Sequence, residues 1–435
     1  MNGYVMRKVL LVLGSDYGTI DIVREAHRMG MYVIVADLMD SSPTKQEADE
    51  AWLISTTEID ALESKCREAG VCGVITGASD FNTTCCRKLC VRLGLPVISA
   101  NDRAWEAARN KRLFKELCKE TGAPVAKDYY ITSSDDEDAL SSVVYPVVVK
   151  PVDKSANRGM GYCNNKEELI EAYKYAKSIS DSDTIIVEKE LHGPEFAAHY
   201  VIAEGEARLL YFGSEHHQPG QRNNQYSLVY TTSAYLQQFL TEVNDHLIEA
   251  FKQAGCKDGI VWVECIRDDD GHFYLFEMGY RFGATMLYTW YEKVFGFNSI
   301  RWMIECAIGK KHTVADLPEG LSQPLKATSA SYHLFTQREG RVVCIKGLED
   351  IGRMDNVIID IPKRGEYNAP SHACIGVIRV FGEDINHLCK TIAFINKHLR
   401  IEDASGENII ILFDDFDSVK AEYAMGMRQF GIIDN

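Results

Sequence analysis

Two glutamates interrupt a pair of apolar segments near the middle of the chain. Glu264 lies in the segment IVWVEC and Glu277 lies in FYLFEMGYRFG, and the Asp/Gly-rich run between them predicts a tight turn. In an antiparallel hairpin around residues 269–271 the two carboxylates would face each other, where they repel unless a cation lies between them. Mg²⁺ prefers oxygen ligands of this kind, so the hairpin predicts a Mg²⁺ site that could also take Mn²⁺. The alternative is an exposed hairpin whose charges face water.

Three further features have the residue types that bind phosphate groups. Lys150 lies near the end of the apolar strand YPVVVKP, and residues 153–162, DKSANRGMGY, form a small-residue loop in which backbone N–H groups can approach an anion. Lys111 lies in a predicted helix from Asp102 to Thr121. Arg281 could hold an anionic group through two parallel hydrogen bonds. Each lysine also has an ordinary explanation. Lys150 could reach water from its strand end, and Lys111 could belong to a solvent-exposed helix rich in Lys and Arg.

The first hundred residues must form the frame beside these features. From about Met6 to Pro96, short apolar strands alternate with helical stretches, a pattern that predicts a parallel sheet covered on both faces. Gly14 and Gly18 follow the first strand and Asp37 ends the second, which suggests a dinucleotide site. Because the glycines do not have the G-x-G-x-x-G spacing, we predict a Rossmann-like domain without a dinucleotide.

Length and composition narrow the class of protein. At 435 residues the chain should contain two to four packed units. The net charge of −16 argues against binding to nucleic acid or to anionic membrane surfaces, and no apolar run approaches the length of a membrane span. The 13 cysteines include no C-x-x-C pair, so we expect reduced thiols in the cytoplasm, with neither a disulfide framework nor a structural zinc.

Taken in order, these segments resemble the ATP-grasp superfamily. The resemblance rests on a lysine in a helix, a strand-end lysine with a glycine-rich loop, VEKEL followed by GPE, and a hairpin with two glutamates and an arginine. It covers the whole chain, including GLPVISANDRAWEAARNKRLFKELCKETGAPV. The segment IGVIRVFGEDINHLCKTIAFINKHLRI resembles the small terminal domain of carboxylate-amine ligases such as the L-amino-acid ligases.

The resemblance implies an α/β fold in three domains, with α+β architecture in the grasp part. A Rossmann-like domain would occupy residues 1–100 and an ATP-grasp domain residues 101–325, with its ATP subdomain at about 125–195. A small β-rich domain at residues 326–435 would close on the active site.

The resemblance also implies ATP and Mg²⁺ as cofactors and assigns a role to each motif residue. Arg281 would lie near the γ-phosphate and the acyl phosphate as a catalytic residue, and Glu264 and Glu277 would bind the metal. The implied ATP contacts are Lys111 and Lys150 at the phosphates, Ser155, Asn157 and Gly159 in the covering loop, Glu188, Lys189 and Leu191 at the adenine, and Glu195 at the ribose.

One motif departs from the family pattern. The second acid of the family begins E-x-N-x-R, whereas this chain reads Glu277-Met-Gly279-Tyr-Arg281. Glycine cannot supply the side-chain oxygen that asparagine gives to a second metal. The departure leaves three alternatives, namely a single metal, a water or another residue in the missing position, or a weakened catalyst.

The predicted function is that of an ATP-dependent carboxylate-amine ligase. Such an enzyme forms an amide bond through an acyl phosphate and releases ADP and phosphate, acting on a small-molecule carboxylate and an amine. A homodimer is a further expectation. The alternatives are a purine-biosynthesis or carboxylase type of ATP-grasp enzyme, or a nucleotide-binding regulator that has lost turnover. Candidate contacts to the acceptor substrate are His216, His217, Arg222, Asn224, Tyr332, His333 and the segment from Lys363 to Tyr367, although ordinary loop, strand and turn positions are the favoured explanation for them.

Overall fold

The computed structural model describes most of the chain. The described residues are 7–16, 18–40, 42–98, 101–154, 158–217, 227–231, 234–361 and 365–433. Ser155 and Asn157 of the predicted phosphate loop lie outside these ranges, as do Arg222, Asn224, Lys363 and Arg364 among the candidate acceptor contacts. No described helix is both long and apolar enough to cross a membrane.

A parallel sheet forms the N-terminal part, as the alternating apolar strands predict. Its four strands lie in the order β3-β2-β1-β4, with every pair parallel. β1, β2 and β4 are largely buried because helices cover both faces, whereas Glu50 and Ala51 of β3 are exposed. The predicted Rossmann-like frame is present. The elements are β1 Val9–Leu13, α1 Thr19–Arg28, β2 Tyr32–Ala36, α2 Pro43–Glu47, β3 Glu50–Trp52, α3 Ile59–Ala69, β4 Val71–Thr76 and α4 Asp80–Leu93.

The prediction of one helix from Asp102 to Thr121 is wrong, because two helices occupy this segment. They are α5, Asp102–Ala107, and α6, Lys111–Thr121. The Asn110 side chain accepts hydrogen bonds from the backbone N–H groups of Arg112 and Leu113, so Asn110 starts a new helix as its N-cap. Lys111 is therefore the first residue of α6 rather than a residue in the middle of a helix.

A small antiparallel sheet follows and carries Lys150. The order of its strands is β6-β5-β7, and α8 packs on them around a separate apolar core. The elements are α7 Glu137–Ser141, β5 Val147–Pro151, β6 Gly161–Cys163, α8 Lys166–Ile179 and β7 Ile185–Lys189.

An eight-stranded antiparallel sheet forms the centre of the molecule, in the order β12-β11-β8-β9-β10-β13-β17-β15. On one face Ala197 and Tyr211 share a core with α1 and α12, whereas on the other face Ala198 and Phe212 share a core with α6 and α10. The first elements are β8 Glu195–Ala203, β9 Glu206–His216, β10 Leu228–Thr231, α9 Leu236–Phe239, a π-helical turn Leu240–Asn244, α10 Asp245–Ala254, β11 Gly259–Arg267, β12 Phe273–Gly279, α11 Tyr288–Phe295, α12 Ser299–Ala307 and a 3-10 turn Val314–Asp316.

The C-terminal segment completes this sheet and adds a three-stranded sheet, β16-β14-β18. The mixed α/β class is confirmed. The division at residues 100 and 325 stays a prediction, since strands from both sides of residue 325 belong to one sheet. The remaining elements are β13 Thr328–Phe335, β14 Gly340–Lys346, α13 Leu348–Gly352, β15 Val357–Asp360, β16 Tyr367–Ala369, β17 Cys374–Gly382, α14 Ile385–His398, β18 Arg400–Asp403 and α15 Phe416–Gln429.

A short connection from β7 to β8 joins the small sheet to the large one. Gly193 lies in this connection with a φ of +152°, and a Cβ atom there would overlap the carbonyl oxygen of Arg267 at the end of β11. The next residue binds the same strand, because the Arg267 N–H donates to the Pro194 carbonyl at 3.0 Å. The connection is thus held against the hairpin at a point where only glycine fits.

We predict that Gly193→Ala lowers the free energy of unfolding by about 1–3 kcal/mol, because the new methyl group must displace the Arg267 carbonyl. Gly30→Ala is the matched control, since Gly30 also has a positive φ, of +77°, but has no atom within 4 Å of the added Cβ. Chemical denaturation measures both variants. Equal losses in the two variants would contradict the proposed close contact.

Candidate active site

The two hairpin glutamates face each other, as their spacing predicts. Glu264 on β11 is the register partner of Glu277 on β12. Burial raises the pKa of the Glu264 carboxyl to about 8, and the charges of Glu277 and Glu195 add to this effect. Two carboxylates so placed suit a hard divalent cation. Among the described residues no three His, Cys, Asp or Glu side chains group closely enough to enclose an ion, so phosphate oxygens or water would complete its coordination.

Lys111 lies directly beside this pair of acids. Its Nζ atom is 3.1 Å from Oε1 of Glu277 and donates to the backbone carbonyl of Lys154 at 3.0 Å. The backbone N–H of Lys111 donates to the Val152 carbonyl just after β5. One ammonium group therefore links the hairpin acids to the start of the predicted phosphate loop, and its contact with ATP phosphates stays a prediction.

Lys150 belongs to a buried group of charges and does not reach water from its strand end. Its Nζ atom is 2.5 Å from Oε1 of Glu188, and Lys115 binds the other oxygen of the same carboxylate. Lys115 also lies 3.7 Å from Asp128, which pairs with Arg112 at 3.1 Å. Burial alone would raise the pKa of Glu188, but the Lys150 and Lys115 ammonium groups lower it to about 2. Three cations thus surround two carboxylates, which leaves one positive charge to attract an anion.

The predicted adenine hinge runs along the end of β7. The carboxylate of Glu188 is committed to the two lysines, so an adenine role for this residue stays a prediction. Lys189 binds Asp268 at 2.6 Å, and the backbone N–H of His192 donates to the same carboxylate at 2.7 Å. Leu191, between them, is half-buried. The hinge is therefore fixed to the turn of the glutamate hairpin.

Gly159 and Glu195 border the same region. Gly159 has a φ of +80° and is buried, and a Cβ atom there would lie 2.6 Å from Cδ1 of Ile179. Both the left-handed backbone and the close packing require glycine at this position. Glu195 begins β8 and pairs in register with Glu215 of β9.

Arg281 connects the hairpin to the N-terminal sheet. Its Nε and Nη2 atoms donate to the two carboxylate oxygens of Asp80, at 2.6 and 2.8 Å, and Nη1 donates to the Phe282 carbonyl at 2.7 Å. The guanidinium carbon lies 4.9 Å from the centroid of the Trp262 ring. The arginine charge acts against the increase in the pKa of Glu264. Sequence reasoning placed Arg281 with the acids but did not find Asp80, which is 201 residues distant.

The loop after β1 is closed by a side chain from α4. A Cβ atom on Gly14 would lie 3.0 Å from Cγ of Asn82, whose amide donates to Asp16 at 2.8 Å. The close approach that a pyrophosphate would need at Gly14 is thus taken by an asparagine. Burial raises the pKa of Asp16 to about 6 despite this hydrogen bond and the charge of Arg281.

Sequence reasoning missed a buried arginine on β17. Arg379 is 4% exposed, binds Asp21 at 3.2 Å through Nη2 and stacks on Tyr288 at 4.8 Å. Its Nε and Nη1 atoms are buried and have no hydrogen-bond partner among the described residues. A cation with unused donors can bind an anionic substrate group. The signal in the sequence was a single arginine inside the apolar run CIGVIRVFG.

Glu215 on β9 was also missed. It is 5% exposed, and its Oε1 atom is buried with no described hydrogen-bond partner. Burial raises the pKa of this carboxyl well above its usual range, and the charges of Glu264 and Glu195 act in the same direction. An isolated acid in the strand segment LLYFGSEH could have indicated it.

The candidate acceptor residues have mainly structural contacts. Nε2 of His216 lies 2.9 Å from Glu422 of α15. Tyr332 is fully buried, and its hydroxyl donates to a side chain of α14. His333 is buried on β13, whereas His217 lies 3.6 Å from Glu195 at the rim of the site. These contacts favour the ordinary explanation for His216 and Tyr332.

A cleft between α4 and the hairpin borders part of this region. Its volume is about 380 Å³. Lys111 and Glu277 line one side, and residues of α4 line the other. The charged side chains around the cleft are Asp80, Lys88, Arg109, Lys111, Asp153, Lys154, Arg158, Asp181 and Glu277.

The sequence matches one protein-family model and several known proteins. Residues 143–288 match a family model described as an ATP-grasp domain. A formate-dependent phosphoribosylglycinamide formyltransferase of Prochlorococcus marinus is 27% identical over 175 residues, which are 40% of this chain and 44% of that protein. The 2-oxoglutarate carboxylase small subunit of Hydrogenobacter thermophilus is 24% identical over 70% of this chain and 68% of that protein. The chain thus spans less than half of the first relative.

Solved structures resemble nearly the whole chain. The biotin carboxylase domain of 2-oxoglutarate carboxylase from Hydrogenobacter thermophilus has a TM-score of 0.75 at 18% identity and covers 91% of each chain. An L-amino acid ligase from Bacillus licheniformis has a TM-score of 0.73 at 19% identity, covering 94% of this chain and 99% of that one. Because both identities are below 25%, this structural similarity shows a shared fold alone.

We predict that Glu188→Gln lowers the free energy of unfolding by about 3 kcal/mol at pH 7, because two buried lysines lose their shared anion. The folded-state pKa of about 2 is below the ordinary 4.5. The stabilisation from Glu188 is therefore complete above pH 4.5 and is lost as the pH falls towards 2.

Denaturation of wild type and variant at pH 7 and pH 3.5 tests this prediction, and the gap between them should narrow at the lower pH. Glu171→Gln, at an exposed position on α8, is the control and should follow wild type at both pH values. A gap that stays constant would mean that the charge of Glu188 does not stabilise the fold.

Proposed function

We propose that the protein is an ATP-dependent ligase that joins a carboxylate to an amine, and the match of residues 143–288 to an ATP-grasp domain model supports this proposal. The observation that supports this most directly is the opposition of Glu264 and Glu277 beside Lys111. Phosphoryl transfer depends on positioning and on neutralising charge, and this arrangement offers both. The substrates would be small molecules.

The proposal gives a role to each of the following site residues. Lys111 and Lys150 would bind the ATP phosphates, and Leu191 and Glu195 would border the adenine and the ribose. Mg²⁺ bound by the two hairpin glutamates would neutralise charge on the phosphate oxygens. Arg281 would stabilise the transferred phosphate. To reach its guanidinium group, the substrate anion must compete with Asp80.

Two steps form the product. In the first, a carboxylate oxygen bonds to the γ-phosphorus of ATP as the bond from that phosphorus to the β,γ-bridging oxygen breaks, which yields an acyl phosphate and ADP. In the second, the amine nitrogen bonds to the acyl carbon, the bond from that carbon to the phosphate oxygen breaks, and the nitrogen loses a proton. Protein cations need only hold and neutralise the groups, so no protein nucleophile is required.

A carboxylase-type reaction is the second candidate. The similarity to the biotin carboxylase domain, at a TM-score of 0.75, favours it, since bicarbonate could act as the acid and a ureido nitrogen as the amine in the same two steps. A nucleotide-binding regulator without turnover is the third candidate, and Gly279 is the feature that favours it. We further propose a cytoplasmic location and a homodimer for the enzyme.

We predict that ADP release from ATP and Mg²⁺ requires a specific pair of substrates. The assay would screen amino acids singly and in pairs, with bicarbonate plus free biotin as an additional pair, and would measure product mass in the same wells. A product whose mass equals the sum of the pair less water supports the ligase. Bicarbonate-dependent ADP release supports the carboxylase, and nucleotide binding without turnover on any pair supports the regulator.

We predict that Glu277→Gln lowers Mg²⁺-dependent turnover by about 100-fold or more while ADP still binds. The neutral side chain keeps its size but removes one of the two anionic charges that would hold the cation. Calorimetric titration with ADP checks binding, and the ADP-release assay checks turnover. Glu292→Gln, at an exposed position on α11, is the control. Full turnover in Glu277→Gln would contradict the metal assignment.

A further inference from the structure

Gly279 occupies the position of the missing asparagine, and its backbone does not require glycine. Its φ lies outside the left-handed region, unlike that of Gly159 or Gly193. Any residue could adopt this backbone, so the reason for glycine must be the space around it.

The indole ring of Trp262 fills that space. Trp262 on β11 is the register partner of Gly279 on β12. A Cβ atom on Gly279 would lie 2.6 Å from Nε1 of the indole and still closer to two carbons of the ring. Trp262 is 8% exposed, so the ring has little room to move aside. Asparagine at position 279 and this position of the tryptophan ring are therefore mutually exclusive.

The substitution also changes the chemistry of the position. An asparagine carbonyl oxygen can ligate a cation, whereas the indole N–H is a donor only and cannot. The same ring carries the Arg281 guanidinium on its face at 4.9 Å, and such a stack is favourable for a cation. The positive charge beside the hairpin acids is thus supplied by a protein side chain.

We propose that this site holds one divalent cation with the nucleotide, between Glu264 and Glu277, and that Trp262 fills the second-metal ligand position and positions Arg281 in its place. This inference rests on the proposed nucleotide-binding function. Of the three alternatives that the sequence leaves open, it selects the single metal. Glu264 and Glu277 fit one cation, and the residues at position 279 and around it do not fit a second.

The first experiment counts Mn²⁺ by its electron paramagnetic resonance signal. ADP is kept below the protein concentration so that all of it is bound, and Mn²⁺ is titrated in. We expect one Mn²⁺ per bound ADP for wild type. Two per ADP would overturn this inference and leave the ligase function intact. Failure of ADP to bind would overturn the ligase function and this inference with it.

The second experiment tests whether the indole excludes the asparagine. Gly279→Ala should lower the denaturation midpoint of wild type clearly, but should lower it much less in a Trp262→Ala background, because the clashing ring is then absent. Gly283→Ala is the control, since a Cβ there would meet His199 and Thr285 and not Trp262, and its effect should be the same in both backgrounds. Equal effects of Gly279→Ala in the two backgrounds would overturn the packing claim.

The combined variant Trp262→Ala with Gly279→Asn restores the ligand and removes the ring. We expect its Mn²⁺ count to rise from one to two per ADP. A count of one in the folded double variant would show that the indole is not what excludes the second ion. If the double variant does not fold, the Mn²⁺ count of wild type and the effect of Gly279→Ala in the two backgrounds still test the inference.

Discussion

The repulsion between Glu264 and Glu277 is the constraint on which the rest of this site depends. The two carboxylates are register partners on neighbouring strands, and burial with mutual repulsion raises the pKa of Glu264 to about 8. The positive charges of Lys111 and Arg281 compensate this repulsion in part, and a bound divalent cation would compensate it further. Lys111 provides part of that compensation from the first turn of α6, and the start of α6 is set by the Asn110 cap. The local helix-capping signal at Asn110 therefore influences the charge balance of a site whose two glutamates lie much later in the chain.

A second group of paired charges is buried next to the predicted phosphate-binding region. Lys150 and Lys115 share the Glu188 carboxylate, and Lys115 also contacts Asp128. Buried ion pairs of this kind contribute little net stability, but the loss of one partner is costly. The network therefore fixes Lys150 in one position at the end of β5. An ammonium group that is already in place loses little conformational freedom when a phosphate binds.

Local patterns predicted the hairpin because its turn and its alternation lie within about twenty residues. The break before α6 was equally local, and the N-cap preference of Asn110 could have revealed it. Lys115 could not be found in this way, since KRLFKELCKET suggests a solvated lysine and only packing against β7 buries it. Asp80 and Arg379 depend on contacts between segments more than 200 residues apart, for which a single sequence contains no local signal.

The departure at Gly279 belongs to a larger feature of the central sheet. A row of register partners crosses three neighbouring strands and consists of Trp262, His199 and Tyr211. Trp262 precedes Glu264 by two residues on the same strand. Burial lowers the pKa of His199 to about 3, so the row carries no charge at neutral pH. Gly213 lies beneath the Tyr211 hydroxyl as Gly279 lies beneath the Trp262 ring. Gly213 follows Tyr211 by two residues on β9, and Gly279 lies across from Trp262 on β12. Each glycine leaves room for the aromatic ring because it has no side chain. Restoring the asparagine would require the end of this row to be rebuilt, and this explains why glycine and tryptophan occur together.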